Sequence, residues 1–445
     1  MSADAGYKLL EQFAPLSAHE ALVEANRCLY CFDAPCTHAC PTHIDVPEFI
    51  KKIATGNLTG SARTILNSNL MGSSCARVCP VQELCEGACV LNAEEKPIMI
   101  GRLQRYAMDY FIKERPKIFS SVRSTGRRIA VIGAGPAGLS CAGELARYGH
   151  DVTVFEKRDL AGGLSTYGII ALREPVGVSL AEVDMIADMG VSIRPGVNVG
   201  LDLLPELMQF DAIFIAVGLG TTPALEIPGE EHILNGLEFI EQSKLNFQDL
   251  PHGNLVVVIG AGNTAIDCAT IARRTGADRV TMVYRRTPSE MTAYEHEYEF
   301  IKQEGVTFEF LAQPVAVQLN NGIVSGLECV RVELAELDSS SRPTPRPIPR
   351  SNFVIPADLI IKAIGQEKTS IAGFAGLETE HGFIKVDRQL RTTHPRIYAG
   401  GDCVRLKGAA STVMAAQDGK IAAAAIHEQL MGASGERIGQ ASWQI

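Results

Sequence analysis

Eight of the chain's twelve cysteines fall between residues 28 and 89, in two runs. The first reads C-x2-C-x4-C-x3-C-P, with Cys28, Cys31, Cys36, Cys40 and Pro41. The second reads C-x3-C-P-x4-C-x3-C, with Cys75, Cys79, Pro80, Cys85 and Cys89. Soft thiolates at this density, with Cys-Pro in each run, suit iron–sulfur clusters. Spacing alone reads as two runs of four, one cluster each.

Two glycine fingerprints follow. In GAGPAGL (133–139), Gly133 permits a tight turn, Gly135 lets backbone approach a pyrophosphate, and Gly138 allows close helix packing, with Pro136 and Ala137 between them. The helix that opens there offers N–H donors and a positive dipole end to phosphates. Glu156 lies 23 residues beyond Gly133 (156 − 133), at the end of the next strand, placed to accept from ribose hydroxyls. GAGNTAID (260–267) repeats the geometry through Gly260, Gly262, Asn263, Thr264 and Ala265. Its second strand ends in Tyr284-Arg285-Arg286 and no carboxylate. An arginine pair there suits the 2′-phosphate of NADP. Ala161-Gly-Gly-Leu164 is suited to carry backbone past a cofactor. Ile397-YAGGD-Cys403 ends a strand in glycine, placing Gly401 and Asp402 ahead of a helix near Thr412. Asp402 is suited to hydrogen-bond a polyol chain such as a flavin ribityl. Cys141 and Cys268, on the helices after each fingerprint, read as small buried hydrophobes. No histidine is assigned a catalytic role, and the site needs no general base.

The elements that must position these residues follow from pattern. Ser17-Ala-His-Glu20 is a capping box opening a helix toward Cys28. Val46 to Ile53 and Ile98 to Phe111 have helical apolar spacing. Arg128-IAVI-Gly133 and Asp151-VTVF-Glu156 are short strands flanking a helix, a βαβ unit; Leu255-VVVI-Gly260 and Arg279-VTMVY-Arg285 repeat it. Pro314 to Val332 and Phe353 to Ile355 read as extended, and the proline-rich stretch Ser339 to Arg350 as an exposed hairpin tip.

Composition bounds the rest. At 445 residues the chain has room for two or three domains. With 46% hydrophobic and 21% charged residues it reads as an ordinary globular protein. A net charge of −10 without a basic block argues against nucleic acid or an anionic membrane as partner. No secretory signal or membrane-length apolar run is visible, so a cytoplasmic location is expected, where metal ligation outcompetes disulfides.

The motifs EANRCLYCFDAPCTHACP, CARVCPVQELCEGAC, IGRLQRY, GAGPAGL, GGLSTYGI, GAGNTAIDCA and YAGGD resemble the flavin–NAD(P) half of dihydropyrimidine dehydrogenases, a separate small subunit in bacteria. The resemblance covers nearly all of residues 18–431. It implies an α plus α/β fold: an N-terminal helical double iron–sulfur domain, then two Rossmann-like nucleotide-binding domains, for FAD and NAD(P), the second inserted in the first. The expected domains are 1–118 for [4Fe–4S] clusters, 127–250 with 370–432 for FAD, 251–369 for NAD(P), and a tail at 433–445.

The same resemblance implies a ligand set that spacing does not give. One cluster takes Cys28, Cys31, Cys36 and Cys89; the other takes Cys40, Cys79, Cys85 and Gln104. Cys75 is left outside both. Glutamate synthase small subunits, which share the architecture, resemble I-E-R where this chain has Gln104. The first fingerprint, Glu156, Lys157, Gly163, Leu164, Arg173 and Asp402 match the family's FAD site. The second fingerprint, Arg285, Arg286, Ala363 and Gly365 match its nicotinamide site. Thr292 stands where the family's animal enzymes have a further phosphate-binding arginine.

The function implied is electron input: hydride from NAD(P)H, with NADP(H) preferred over NAD(H), to FAD, then single electrons through two clusters to an FMN-containing large subunit that reduces uracil or thymine. The sequence holds no FMN barrel, and no C-x-x-C follows the GG segment to act as a dithiol. The alternatives are a glutamate synthase small subunit, a related NAD(P)H:acceptor or transhydrogenase subunit, and a zinc-stabilised nucleotide sensor without turnover.

Overall fold

The structure, a computed structural model, describes residues 14–93, 96–120, 122–337, 342–368, 374–405 and 410–432. The expected tail at 433–445 lies outside them. The described chain forms two compact bodies. One holds residues 14–166, 173–219 and the described part of 368–445; the other holds 167–172 and 220–367.

The first body begins with helices α1 (Ala18–Arg27), α2 (Pro35–Ala39), α3 (Val46–Ala54), α4 (Leu58–Ser68), α5 (Gly72–Val78) and α6 (Ile100–Glu114). The capping box at the head of α1 is present: Ser17 Oγ accepts from Glu20 N–H, and Glu20 Oε2 accepts from Ser17 N–H at 2.7 Å. Asp45 caps α3, whose Val46, Phe49, Ile50 and Ile53 are buried at helical spacing. That stripe, with Ile65, Leu66, Leu103 and Met108, forms the core beneath the cysteine loops.

A parallel sheet follows, from β1 (Arg128–Ile132), β2 (Asp151–Phe155), β3 (Ser192–Arg194), β4 (Ala212–Ile215) and, far along the chain, β13 (Ile397–Ala399). Its order is β13-β4-β1-β2-β3. Strands buried on both faces read as continuous apolar runs, and β1 and β2 are exposed only at their first residues. Helix α7 (Pro136–Arg147) links β1 to β2, and α8 (Val176–Asp188) precedes β3. The last helix, α12 (Thr412–Met431), lies directly on α7: a Cβ at Gly419 would sit 2.3 Å from the Ala137 carbonyl oxygen.

The second body repeats the plan with β5 (Leu234–Asn235), β6 (Leu255–Ile259), β7 (Arg279–Tyr284), β8 (Thr307–Phe310) and β12 (Leu359–Lys362). The parallel order is β5-β12-β6-β7-β8. Helices α9 (Gly236–Leu245), α10 (Asn263–Arg274) and α11 (Glu295–Gln303) accompany it. An antiparallel sheet adds β9 (Ala312–Asn320), β10 (Ile323–Leu337) and β11 (Pro343–Pro356), in the order β11-β10-β9. Asn321-Gly322 joins β9 to β10 with φ of 53° and 82°, a two-residue turn that favours these residue types.

One expectation is corrected here. Within the proline-rich stretch, residues 343–350 are not a hairpin tip but the first half of β11, paired with β10; residues 339–341 lie outside the described residues. Pro343, Pro345, Pro347 and Pro349 fall at alternate positions, so their missing N–H groups share one side of the strand. An edge strand tolerates that, because only one side pairs.

Candidate functional site

The cysteine loops hang from helix ends. Cys28 caps the C-terminus of α1, Cys40 that of α2 and Cys79 that of α5. Cys28, Cys31, Cys36 and Cys89 line one cavity together, with Ile50, Ile98 and Ile100 behind them. Cys89, from the second run, therefore joins three cysteines of the first. Burial, then the proximity of Cys28 and Cys89, pushes the Cys36 thiol up to about 11. Burial likewise raises Cys85, whose charged neighbours include Glu86 and Cys40. The Cys79 thiol is raised first by a hydrogen bond shared with Cys75, then by burial, with Cys85 and Cys40 also close. Cys40 of the first run thus lies near Cys79 and Cys85 of the second, with Cys36 also a neighbour of Cys85. Cys75 is 3% exposed and packs in the core one helical turn before Cys79.

Gln104 comes from α6, where its face packs on α5. Its Nε2 donates to the Gly72 carbonyl at 2.8 Å, which leaves Oε1 as the lone-pair end of the amide. Among the described residues, no three His, Cys, Asp or Glu side chains converge closely enough to grip a single metal ion. A cluster asks for something else: thiolates spread over several irons, in an apolar wall. Thiols raised this far stay protonated near neutrality, so ligation would supply the thiolate form. Two groups of soft donors fit that requirement.

The first fingerprint is assembled from four chain segments of the same body. Gly133 adopts φ 99°, and a Cβ there would lie 2.4 Å from the Ala216 carbonyl oxygen. A Cβ at Gly138 would lie 1.9 Å from the Gly133 oxygen. The GG segment crosses over them: Gly162 N–H donates to the Ala134 carbonyl at 2.8 Å, and a Cβ at Gly163 would sit 2.7 Å from Gly135 Cα. Leu164, beside it, is exposed. Glu156 is buried at the end of β2, and its Oε2 accepts from Ala134 N–H at 2.8 Å. Lys157 is exposed and Arg173 half-buried. A Cβ at Gly401 would lie 3.1 Å from Ala137 Cβ, so Asp402 follows a glycine placed near the start of α7. Burial raises the Asp402 carboxyl, against the pull of Arg405. Thr412 opens α12, where Ser411 caps the helix.

In the second body, Gly260 adopts φ 131°, and a Cβ there would meet the Ala363 carbonyl oxygen at 2.2 Å. Ala363 N–H donates to Ile259 at 2.8 Å, so the turn toward Gly365 lies against the fingerprint. Thr292 Oγ1 sits 3.0 Å from the Cβ position of Gly262, and Asn263 Oδ1 accepts from Tyr294 N–H at 3.2 Å. Thr264 and Ala265 continue into α10. The two arginines part company: Arg285 is exposed, whereas Arg286 is buried and its Nε donates to the Pro343 carbonyl at 2.8 Å.

Some residues at these sites are not found by pattern. Asp418, in α12, accepts from Gly401 N–H at 3.0 Å and from Arg405. A lone buried acid in an alanine-rich helix was its only signal. Ser74, Glu174 and Glu182 meet beside α5.

Residues 127–419 match the pyridine nucleotide-disulphide oxidoreductase family, and residues 7–116 match dihydropyrimidine dehydrogenase domain II, 4Fe-4S cluster. Among curated proteins, the chain is 34% identical over 415 residues to the NAD-dependent dihydropyrimidine dehydrogenase subunit PreT of Escherichia coli K12, covering 93% of this chain and 95% of that one. It is also 34% identical to the glutamate synthase [NADPH] small chain of the same organism, covering 94% and 93%. The putative oxidoreductase AegA of that organism is 35% identical and covers 94% of this chain, which spans 67% of AegA. Against the NADP(+)-dependent formate dehydrogenase subunit beta of Moorella thermoacetica, the chain spans 60% of the relative's length. Among solved structures, Mycobacterium tuberculosis FprA in complex with NADPH overlays with a TM-score of 0.55 at 19% identity, covering 68% of this chain and 85% of that one, a likeness of fold.

Proposed function

The chain belongs to the pyridine nucleotide-disulphide oxidoreductase family, as an NAD(P)H-dependent oxidoreductase joined to an iron–sulfur domain, and from that premise we propose that it is the electron-input subunit of a dihydropyrimidine dehydrogenase. Its partner would be an FMN-containing subunit on which uracil or thymine is reduced, in the cytoplasm. The observation that carries this reading is that Cys89 of the second run lines one cavity with Cys28, Cys31 and Cys36, while Cys40 of the first run lies near Cys79 and Cys85; Gln104 would complete the second set.

Bound FAD would supply the junction between two-electron and one-electron chemistry, since a flavin takes electrons in pairs and passes them on singly. The chain's own residues do the rest. The N–H groups at the start of α7 would hold the pyrophosphate, Glu156 the ribose hydroxyls and Asp402 the polyol of the bound flavin nucleotide. Lys157, Gly163, Leu164, Arg173 and Thr412 complete that wall. Gly260 to Ala265 with Ala363 and Gly365 hold the nicotinamide nucleotide. Arg285 takes a 2′-phosphate, which makes NADPH the preferred donor. The two sets of cysteines would hold two clusters, which would supply one-electron transfer without a dithiol.

A glutamate synthase small subunit is the second reading, because the E. coli small chain matches at the same identity and over a similar length. Gln104 distinguishes the two, together with the partner. Affinity capture of the tagged protein, followed by assay with NADPH and uracil, tests the proposal. The expected result is an FMN-containing partner and uracil-dependent NADPH oxidation. A large glutaminase-containing partner would overturn it.

A further inference from the structure

Each cysteine run contains a Cys-Pro step, and the residue after it differs: Cys40-Pro41-Thr42 in the first, Cys79-Pro80-Val81 in the second. Threonine and valine have nearly the same shape, so the difference is one hydroxyl. Cys40 caps the C-terminus of α2, and the chain then turns back on itself. His43 N–H donates to the Cys40 carbonyl at 2.9 Å, which closes a four-residue turn around Pro41 and Thr42. Proline suits the first central position because its φ is preset. The turn brings Thr42 Oγ1 to 3.4 Å from the Cys40 sulfur, and Thr42 is 1% exposed.

Contacts on either side hold this turn. Lys420 Nζ, from α12, donates to the Thr42 carbonyl at 3.0 Å and to the carbonyl of Ser68, the last residue of α4, at 3.1 Å. A helix end leaves such carbonyls without helical partners, and a lysine satisfies them. Ahead of the turn, Thr37 Oγ1 accepts from Val46 N–H at 3.1 Å, tying α2 to the head of α3. The turn is thus joined to α12, which Thr412 opens beside the flavin fingerprint.

The direction of the hydroxyl–sulfur contact follows from counting hydrogens. With a free thiol, either atom can donate; a thiolate on iron has no hydrogen and can only accept. Once Cys40 is ligated, the Thr42 hydroxyl is the donor. Hydrogen bonds to the sulfurs are among the levers that set a cluster's potential. We propose that Thr42 is a potential-setting residue: its hydroxyl donates to the Cys40 sulfur and raises the reduction potential of the cluster that Cys40 would share with Cys79 and Cys85. Uptake of one electron there makes and breaks no bond. The proton stays on the Thr42 oxygen, and the hydrogen bond strengthens because its acceptor is more negative. Cys28, Cys36 and Cys85 are met instead by backbone N–H groups, of Tyr30, Thr37 and Glu86, which a change at Thr42 leaves in place.

This role rests on the relay proposed above, and the experiment separates the two. Potentiometric titration of the iron-loaded protein, followed by electron paramagnetic resonance, reads each cluster. Thr42→Val should keep full iron and weaken the reduction equilibrium of one cluster about tenfold, which is about 59 mV for one electron, with the other unmoved. Thr42→Ser restores a hydroxyl and should return the potential close to wild type. Pulsed resonance in deuterated water should show an exchangeable proton coupled to that cluster in wild type and Thr42→Ser, and missing from Thr42→Val. Should Thr42→Val not fold, Thr42→Ala reads the same loss with a smaller side chain. An unmoved potential in a folded, fully loaded variant, equal shifts in both clusters, or equal potentials for the serine and valine variants would overturn the role of Thr42 and leave the relay standing. A Cys40→Ala variant that keeps all its iron and both signals would overturn the ligand set, and the role of Thr42 with it.

Discussion

The Glu156 carboxylate reaches back from the end of β2 to the backbone N–H of Ala134, at 2.8 Å, and its other oxygen accepts from Arg158 N–H at 2.9 Å. The residue suited to face a ribose therefore also holds the glycine turn in shape. Glu156→Ala leaves the buried Ala134 N–H without its acceptor, at a cost of about 1–3 kcal/mol. The expected outcome is lower FAD content and a melting temperature reduced by several degrees. Visible absorbance per protein and a thermal melt check it; full flavin with an unchanged melt contradicts it.

The two fingerprints differ at their third position, and the backbone shows why one can carry a methyl. At Gly138 a Cβ would lie 1.9 Å from the Gly133 carbonyl oxygen, a backbone atom that cannot give way cheaply. The equivalent residue in the second body is already Ala265, fully buried. Gly138→Ala should expel the flavin or prevent the first body from folding, whereas Ala265→Gly should cost only about 1 kcal/mol through helix propensity. Flavin absorbance and circular dichroism separate these outcomes.

His150 and His427 hydrogen-bond each other at 2.9 Å in a buried contact, with Tyr148 stacked on His427. Burial, then the neighbouring His427, lowers the His150 pKa from 6.5 to about 4. The folded protein thus keeps this ring neutral in a range where the unfolded chain protonates it. Stability from this source is complete above pH 6.5 and drains away as pH falls toward 4. His150→Asn removes the titration, so the melting temperature should fall less steeply between those two pH values than in wild type. An equally steep fall would rule the histidine out.

What the sequence discloses depends on how local the cause is. The βαβ repeats are local, because strand, glycine turn and helix are consecutive and each enforces the next. The capping box at Ser17 is local too. The β11 strand is not: proline-rich composition reads as a loop, and only the pairing partner β10 makes alternate prolines acceptable. Ser74 and Glu182 are 108 positions apart, so no window could join them. Asp418 supports Gly401 from a helix whose other buried residues are mostly small and apolar. Cys89 lies between these cases. Its place with the first run came from resemblance, and the cavity it shares with Cys28 gives the physical ground.

The exposed Arg285 and buried Arg286 make different predictions. A charge-assisted bond to a 2′-phosphate is worth about 1.5–3 kcal/mol, or roughly 10- to 100-fold. Arg285→Ala should lower kcat/KM for NADPH by that factor and leave NADH within about threefold. Arg286→Ala releases the Pro343 carbonyl and opens a buried space, so it should lower thermal stability. Steady-state kinetics with both nucleotides, beside thermal melts, distinguish a specificity residue from a support. Equal losses with NADPH and NADH in Arg285→Ala would refute the 2′-phosphate role.

Cys75 and Cys89 make the sharpest test of the donor groups. Both come from the second run, and spacing treats them alike. Cys75 lies in the core and touches Cys79 by a hydrogen bond that serine can also make. Cys75→Ser should therefore keep about eight irons per chain, as two [4Fe–4S] clusters require. Cys89→Ser should lose about four, because it removes a donor from the group of Cys28, Cys31 and Cys36. Gln104→Ala should weaken the second group alone, and Gln104→Glu should retain iron with a shifted potential, since the replacement ligand is charged. Iron and sulfide analysis with electron paramagnetic resonance of the reduced protein reads all four variants. If Cys75→Ser loses as much iron as Cys89→Ser, the interleaved arrangement is wrong and each run holds its own cluster.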